Sequence, residues 1–101
     1  MHIIMLSLFA SIVIMMSMNN RHKKTLIAVF KDPVSGSIEW AAIEKLLLAA
    51  GAEMIEGNGS RVRFVKDGEV ETFHRPHPEK EAKRYQVRAA RAFLERIGVM
   101  P

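Results

Sequence analysis

Asp67-Gly68, set between Arg61-Val62-Arg63-Phe64-Val65-Lys66 and Glu69-Val70-Glu71-Thr72-Phe73-His74, restricts the fold of this chain more than any other feature. Both flanking runs are rich in β-branched and aromatic residues. A two-residue primed turn demands positive φ at positions that Asp and Gly tolerate, so the stretch predicts a β-hairpin. Closing the turn on Lys66 and Glu69 sets the register, with Phe64 opposite Glu71, Val62 opposite Phe73 and Arg61 opposite His74. Cross-strand partners share a face. One face then carries Val62, Phe64 and Phe73 to a core, and the other carries Arg61, Arg63, Val65, Val70, Thr72 and His74 outward. Two arginines beside a histidine can grip a phosphate and supply an imidazole for proton transfer. The competing reading is that alternating charge keeps an exposed strand soluble.

The flanking segments supply the rest of a small domain. Ala52 to Glu56 reads as a first strand turned into the hairpin by Gly57-Asn58-Gly59, which makes a three-stranded antiparallel meander. A short helix is predicted from Arg21 to Lys31, ended by Asp32-Pro33. Ser37 is placed as the cap of a second helix with Glu39 in its first turn, Ile38, Ala42, Ile43, Leu46, Leu47 and Ala50 at helical spacing, and Gly51 as its stop. Trp40, on the flank of that stripe, reads as a core anchor. A last helix is predicted from about Lys80 to Ile97, with Tyr85, Ala89, Phe93 and Ile97 along its apolar side and Gly98 after it.

The opposite side of that helix carries Lys80, Arg84, Arg88 and Arg91, a spacing able to follow a nucleic-acid backbone. Glu79, Glu81 and Glu95 are the only carboxylates of the region. A net charge of +4 agrees with an anionic partner. Two main helices on one face of the sheet make an α+β domain. With the short first helix set aside, α-β-β-β-α is the element order of double-stranded-RNA-binding domains.

Residues 1–18 form an apolar leader without Lys or Arg, and Arg21, Lys23 and Lys24 follow at once. The reading adopted is that translation starts at Met15, Met16 or Met18 and that the domain is residues 19–101. The alternative is a marginal membrane anchor, since a spanning helix needs about 20 apolar residues. The absence of cysteine removes disulfides and thiolate metal ligation and suits a reducing, cytoplasmic setting.

Ile43-Glu44-Lys45-Leu46-Leu47 leading into Gly51-Ala52-Glu53, then Glu56-Gly57-Asn58-Gly59-Ser60, then Phe73-His74-Arg75-Pro76-His77-Pro78, and a terminal helix ending Phe93-Leu94-Glu95-Arg96-Ile97-Gly98-Val99 together resemble the HicA toxins of bacterial type II toxin-antitoxin systems. The resemblance runs over Arg21 to Pro101. It implies a fold like the double-stranded-RNA-binding domain, metal-independent cleavage of mRNA, no cofactor, and neutralisation by a HicB-like antitoxin. The family's Gly-Ser-His stands here as Gly59-Ser60-Arg61, while its Pro-His is present as Pro76-His77.

A rearranged site follows from the register. His74 and His77 are the catalytic candidates, as base and acid in either order, because a reference pKa of about 6.5 makes both protonation states accessible. Arg61 and Arg63 would stabilise the phosphate charge, and Arg75, Lys80, Arg84, Arg88 and Arg91 complete the expected RNA-binding set. His74-x-x-His77 offers too few ligands for a metal. Two other functions stay open: a module that binds RNA or the antitoxin without cleaving, and a membrane-tethered basic adaptor that depends on the leader.

Overall fold

The computed structural model describes residues 17–101. Its elements are α1 (Asn20–Val29), α2 (Trp40–Ala49), β1 (Glu53–Glu56), β2 (Arg61–Lys66), β3 (Glu69–His74) and α3 (Arg84–Arg96). The strands form an antiparallel sheet in the order β1-β2-β3, and this is the expected α+β architecture with an additional N-terminal helix. Most of the leader lies outside the described residues. Met18 is buried in the core, so the packed unit takes in that residue. Among the described residues no helix is long and apolar enough to cross a membrane.

The hairpin register is the expected one, with Arg61 opposite His74, Val62 opposite Phe73 and Phe64 opposite Glu71. Asp67 and Gly68 take φ of 51° and 79°, the positive values a primed turn needs. Val62, Phe64 and Phe73 are buried. Phe73 packs against Phe64 with ring centroids 6.0 Å apart and against Trp40 of α2 at 4.9 Å, so the aromatic pairs join the sheet to the helix layer. Burying a side chain such as Phe64 contributes about 1.5–3 kcal/mol relative to leaving it in water. Trp40 is thus the core anchor its position suggested, and its indole Nε1 donates to Glu44 Oε1 at 2.7 Å.

Two helix starts differ from expectation for one reason. Trp40 N donates to the Lys80 carbonyl at 2.9 Å and Ala82 N to the Ile38 carbonyl at 2.8 Å, around a bridge between Glu39 and Glu81. The Ile38 and Lys80 carbonyls, taken up across the bridge, are not left to accept the amide four residues on that would open a helix there. Hence α2 begins at Trp40 with Glu39 as its N-cap residue, and Ser37 bonds Ser35 instead of capping. For the same reason α3 begins at Arg84 and not near Lys80.

Tyr85 also differs: it is 62% exposed, while Gln86, Val87, Ala90, Phe93, Leu94 and Ile97 are buried. Residues spaced by four advance about 40° around a helix at each step, so the series 85, 89, 93, 97 starts off the core face and drifts onto it.

The first helix is tied down at both ends. The Asn19 side chain accepts from His22 N at 2.9 Å at its start. At its end Arg91 donates to the carbonyls of Val29 at 3.0 Å and Lys31 at 2.6 Å, and pairs with Asp32 at 3.2 Å. Arg91 therefore satisfies carbonyls that a helix terminus leaves without partners.

Candidate nucleic-acid interface

The outward face of the sheet is built from alternate residues of all three strands. Arg61 and His74 are direct cross-strand partners, Arg63 pairs with Thr72, and all four are exposed. Bonds on both flanks fix the Arg61 end. Gly57 N donates to the Arg61 carbonyl at 2.8 Å, Arg61 N donates to the Asn58 carbonyl at 3.1 Å, and Arg75 N donates to the Ser60 carbonyl at 2.9 Å. Gly57 suits this close approach, because a Cβ there would stand a tight 3.2 Å from the Arg61 carbonyl oxygen. Between this turn and the strands lies a concavity of about 300 Å³ lined by Ile55, Glu56, Gly57, Asn58, Arg61, Arg63 and Thr72.

His74 ends β3 with an exposed side chain, and its carbonyl accepts from Gln86 Nε2 at 2.7 Å. The same Gln86 accepts from Lys83 N through Oε1 at 3.0 Å. Gln86 is 1% exposed, so one buried amide both opens α3 and holds the strand end that carries His74. Sequence reasoning did not single it out. Its only signal is an uncharged polar residue in the apolar phase of the helix. His77 is exposed three residues beyond His74, between Pro76 and Pro78.

Arg75 is engaged elsewhere. Its two terminal nitrogens donate to the two Glu56 oxygens at 2.7 and 2.8 Å, and its Nε donates to Glu44 Oε1, the oxygen that also receives the Trp40 indole. The guanidinium thereby locks the chain just after His74 to β1 and α2. Its hydrogen bonds to Glu56 and then Glu44 hold its pKa above the ordinary arginine value. The hydrogen bond from Arg75 likewise holds the Glu56 carboxyl below its ordinary 4.5.

The expected cations thus fall into two sets. Arg75 and Arg91 are bound to carboxylates and carbonyls of the fold. Among the described residues Arg61, Arg63, Lys80, Arg84 and Arg88 form no ion pair, although Arg84 Nε donates weakly to the Val34 carbonyl at 3.4 Å. Lys80 precedes the helix, and Arg91 lies against α1, so the stripe on α3 reduces to Arg84 and Arg88. No group of three or more His, Asp or Glu side chains is placed to hold a metal among the described residues.

A family model described as the HicA toxin of bacterial toxin-antitoxin systems matches residues 40–99. No curated protein and no solved structure matches the chain. The matched stretch opens at the first residue of α2 and closes just past α3, so it contains the sheet, its covering helices, Arg75 and Gln86, and leaves α1 outside. Because the match spans more than half of the chain and takes in every element that carries the interface, this chain belongs to the HicA toxin family of bacterial toxin-antitoxin systems.

Proposed function

We propose that this toxin is a metal-independent endoribonuclease that cleaves mRNA in the cytoplasm and is neutralised by a HicB-like antitoxin. The observation that carries the reading is the pairing of Arg61 with His74 on an outward sheet face whose arginines have no carboxylate partner among the described residues. In the reaction one imidazole, His74 or His77, takes the proton of the 2′-hydroxyl as its oxygen forms a bond to phosphorus. The other imidazole gives a proton to the departing 5′-oxygen as the phosphorus to 5′-oxygen bond breaks. A 2′,3′-cyclic phosphate and a 5′-hydroxyl result, and Arg61 and Arg63 stabilise the charge that gathers on the phosphate.

Arg61, standing where the family has histidine, favours a second reading in which the chain binds RNA or its antitoxin without cutting. Induced expression separates the two. The nuclease reading expects growth arrest with loss of transcripts on northern blots. Intact transcripts in cells that grow normally and contain folded protein would leave the binding module.

Arg84 and Arg88, the α3 cations of the stripe without an ion pair among the described residues, extend the grip beyond the sheet. Arg84→Ala with Arg88→Ala is expected to weaken RNA binding and to flatten its salt dependence. Each lost contact to a single-stranded backbone removes about 0.7 from the slope of log affinity against log salt, or about 1.4 for the pair. An unchanged slope would mean that these residues face solvent or the antitoxin.

A further inference from the structure

We infer that Tyr85 is a stacking platform for an unpaired RNA base beside the His74 end of β3, an inference that rests on the RNA reading above. Among the described residues Trp40, Phe64, Phe73 and Phe93 are buried, whereas Tyr85 is 62% exposed. A single exposed aromatic is ordinary, so its place must decide its meaning.

That place follows from helix phase and two contacts. Tyr85 and Arg96 are eleven residues apart, which at 3.6 residues per turn puts them within about 20° on the same side of α3. Arg96 shows what that side borders, since it donates to Glu69 Oε1 at 2.7 Å, to the Val70 carbonyl at 3.3 Å and to Glu71 Oε1 at 3.3 Å. The C-terminal end of α3 therefore lies at the start of β3. Gln86 bonds the His74 carbonyl at the other end, so helix and strand run antiparallel. Tyr85 accordingly stands along the β3 edge at its His74 end, with only Ala89 and Ala92 between it and Arg96 on that side.

The surroundings suit a nucleotide. Arg88 stands one helical turn from Tyr85 on the same side, is exposed, and forms no ion pair among the described residues. A ring face with a cation beside it is the combination that binds single strands, the ring taking a base and the cation its phosphate. Every base has such a face, so the contact positions the strand with little regard to sequence.

The test uses the full chain and a 2′-fluoro single-stranded oligonucleotide, which lacks the nucleophilic hydroxyl and is not cut. Tyr85→Ala is expected to bind about tenfold more weakly, from the stacking contribution of a single base, while Tyr85→Phe stays near wild type and both melt like the parent. An abasic nucleotide moved along the oligonucleotide should cost the wild type a similar factor at one position and cost Tyr85→Ala nothing there. Wild-type affinity in Tyr85→Ala, or equal sensitivity of both proteins to every abasic position, overturns the stacking role while leaving RNA binding intact. Tyr85→Ala that binds RNA normally and loses only the antitoxin overturns it in favour of a protein contact. A wild-type chain that binds no RNA at all removes the RNA reading and this inference with it.

Discussion

His74→Ala is expected to lower RNA cleavage by about 10²- to 10⁴-fold, the usual contribution of a positioned acid or base. RNA affinity should be nearly unchanged, because a proton-transfer group acts mainly in the transition state. The fold should survive as well, since the His74 side chain is exposed and the bond from Gln86 goes to its backbone carbonyl. Arg61→His in the His74→Ala background is the sharper measurement. It restores Gly-Ser-His and places an imidazole directly across the ladder from the one removed, so cleavage should partly return. His77→Ala reports on the second imidazole, with a comparable rate loss expected if it completes the proton transfer. Full toxicity of His74→Ala, with nothing added by Arg61→His, would move the chemistry away from this strand pair.

Arg75→Ala is expected to destabilise the domain by about 2 kcal/mol. Ionised hydrogen bonds contribute about 1.5–3 kcal/mol each, but the guanidinium is 30% exposed and water discounts the sum. On a domain of this size that is a fall in Tm of roughly 8–16 °C. Glu44, at 19% exposure, supplies most of the loss because its carboxylate is left without its cation. Arg75→Lys should rescue little, since an ammonium cannot span Glu56 and Glu44 as the planar fork does. Cleavage should fall along with stability, for the segment bearing His74 and His77 is anchored here. Acid should act on the same clamp. The folded-state pKa of Glu56 lies below its ordinary 4.5, so its contribution is present above that pH and is lost as pH falls toward the folded value. An Arg75→Ala protein that melts at the wild-type temperature would show that the guanidinium does not secure the fold.

For tests of the proposed RNA and antitoxin contacts, the structure narrows the choice of residues to vary. Arg61, Arg63 and Arg88 are free of ion pairs among the described residues and can be changed without undoing the fold, and Arg84 gives up only a weak 3.4 Å bond to the Val34 carbonyl. Arg75, Arg91 and Arg96 cannot, because each ties two or more elements together. A charge-removal series that mixed the two sets would confuse loss of binding with loss of structure.

Local information determined a large part of this protein. The Asp67-Gly68 turn, the alternation of Val62, Phe64 and Phe73, and the resulting Arg61 to His74 pairing were all legible in the residues, because turn chemistry and a period of two leave one register that buries the apolar set. The spacing of Ile43, Leu46 and Leu47 marked α2 for a similar reason. Tertiary contacts decided the rest. The bridge between Glu39 and Glu81 moved two helix starts, since it claims backbone groups across more than forty residues of chain that no local pattern connects. Arg75 and Arg91 read as two more cations in a basic sequence, yet their partners are Glu44 and Glu56 in one case and the end of α1 in the other. An arginine carries the same charge whether it faces a phosphate or a carboxylate of its own fold, and only the packing of the elements brings one or the other within reach.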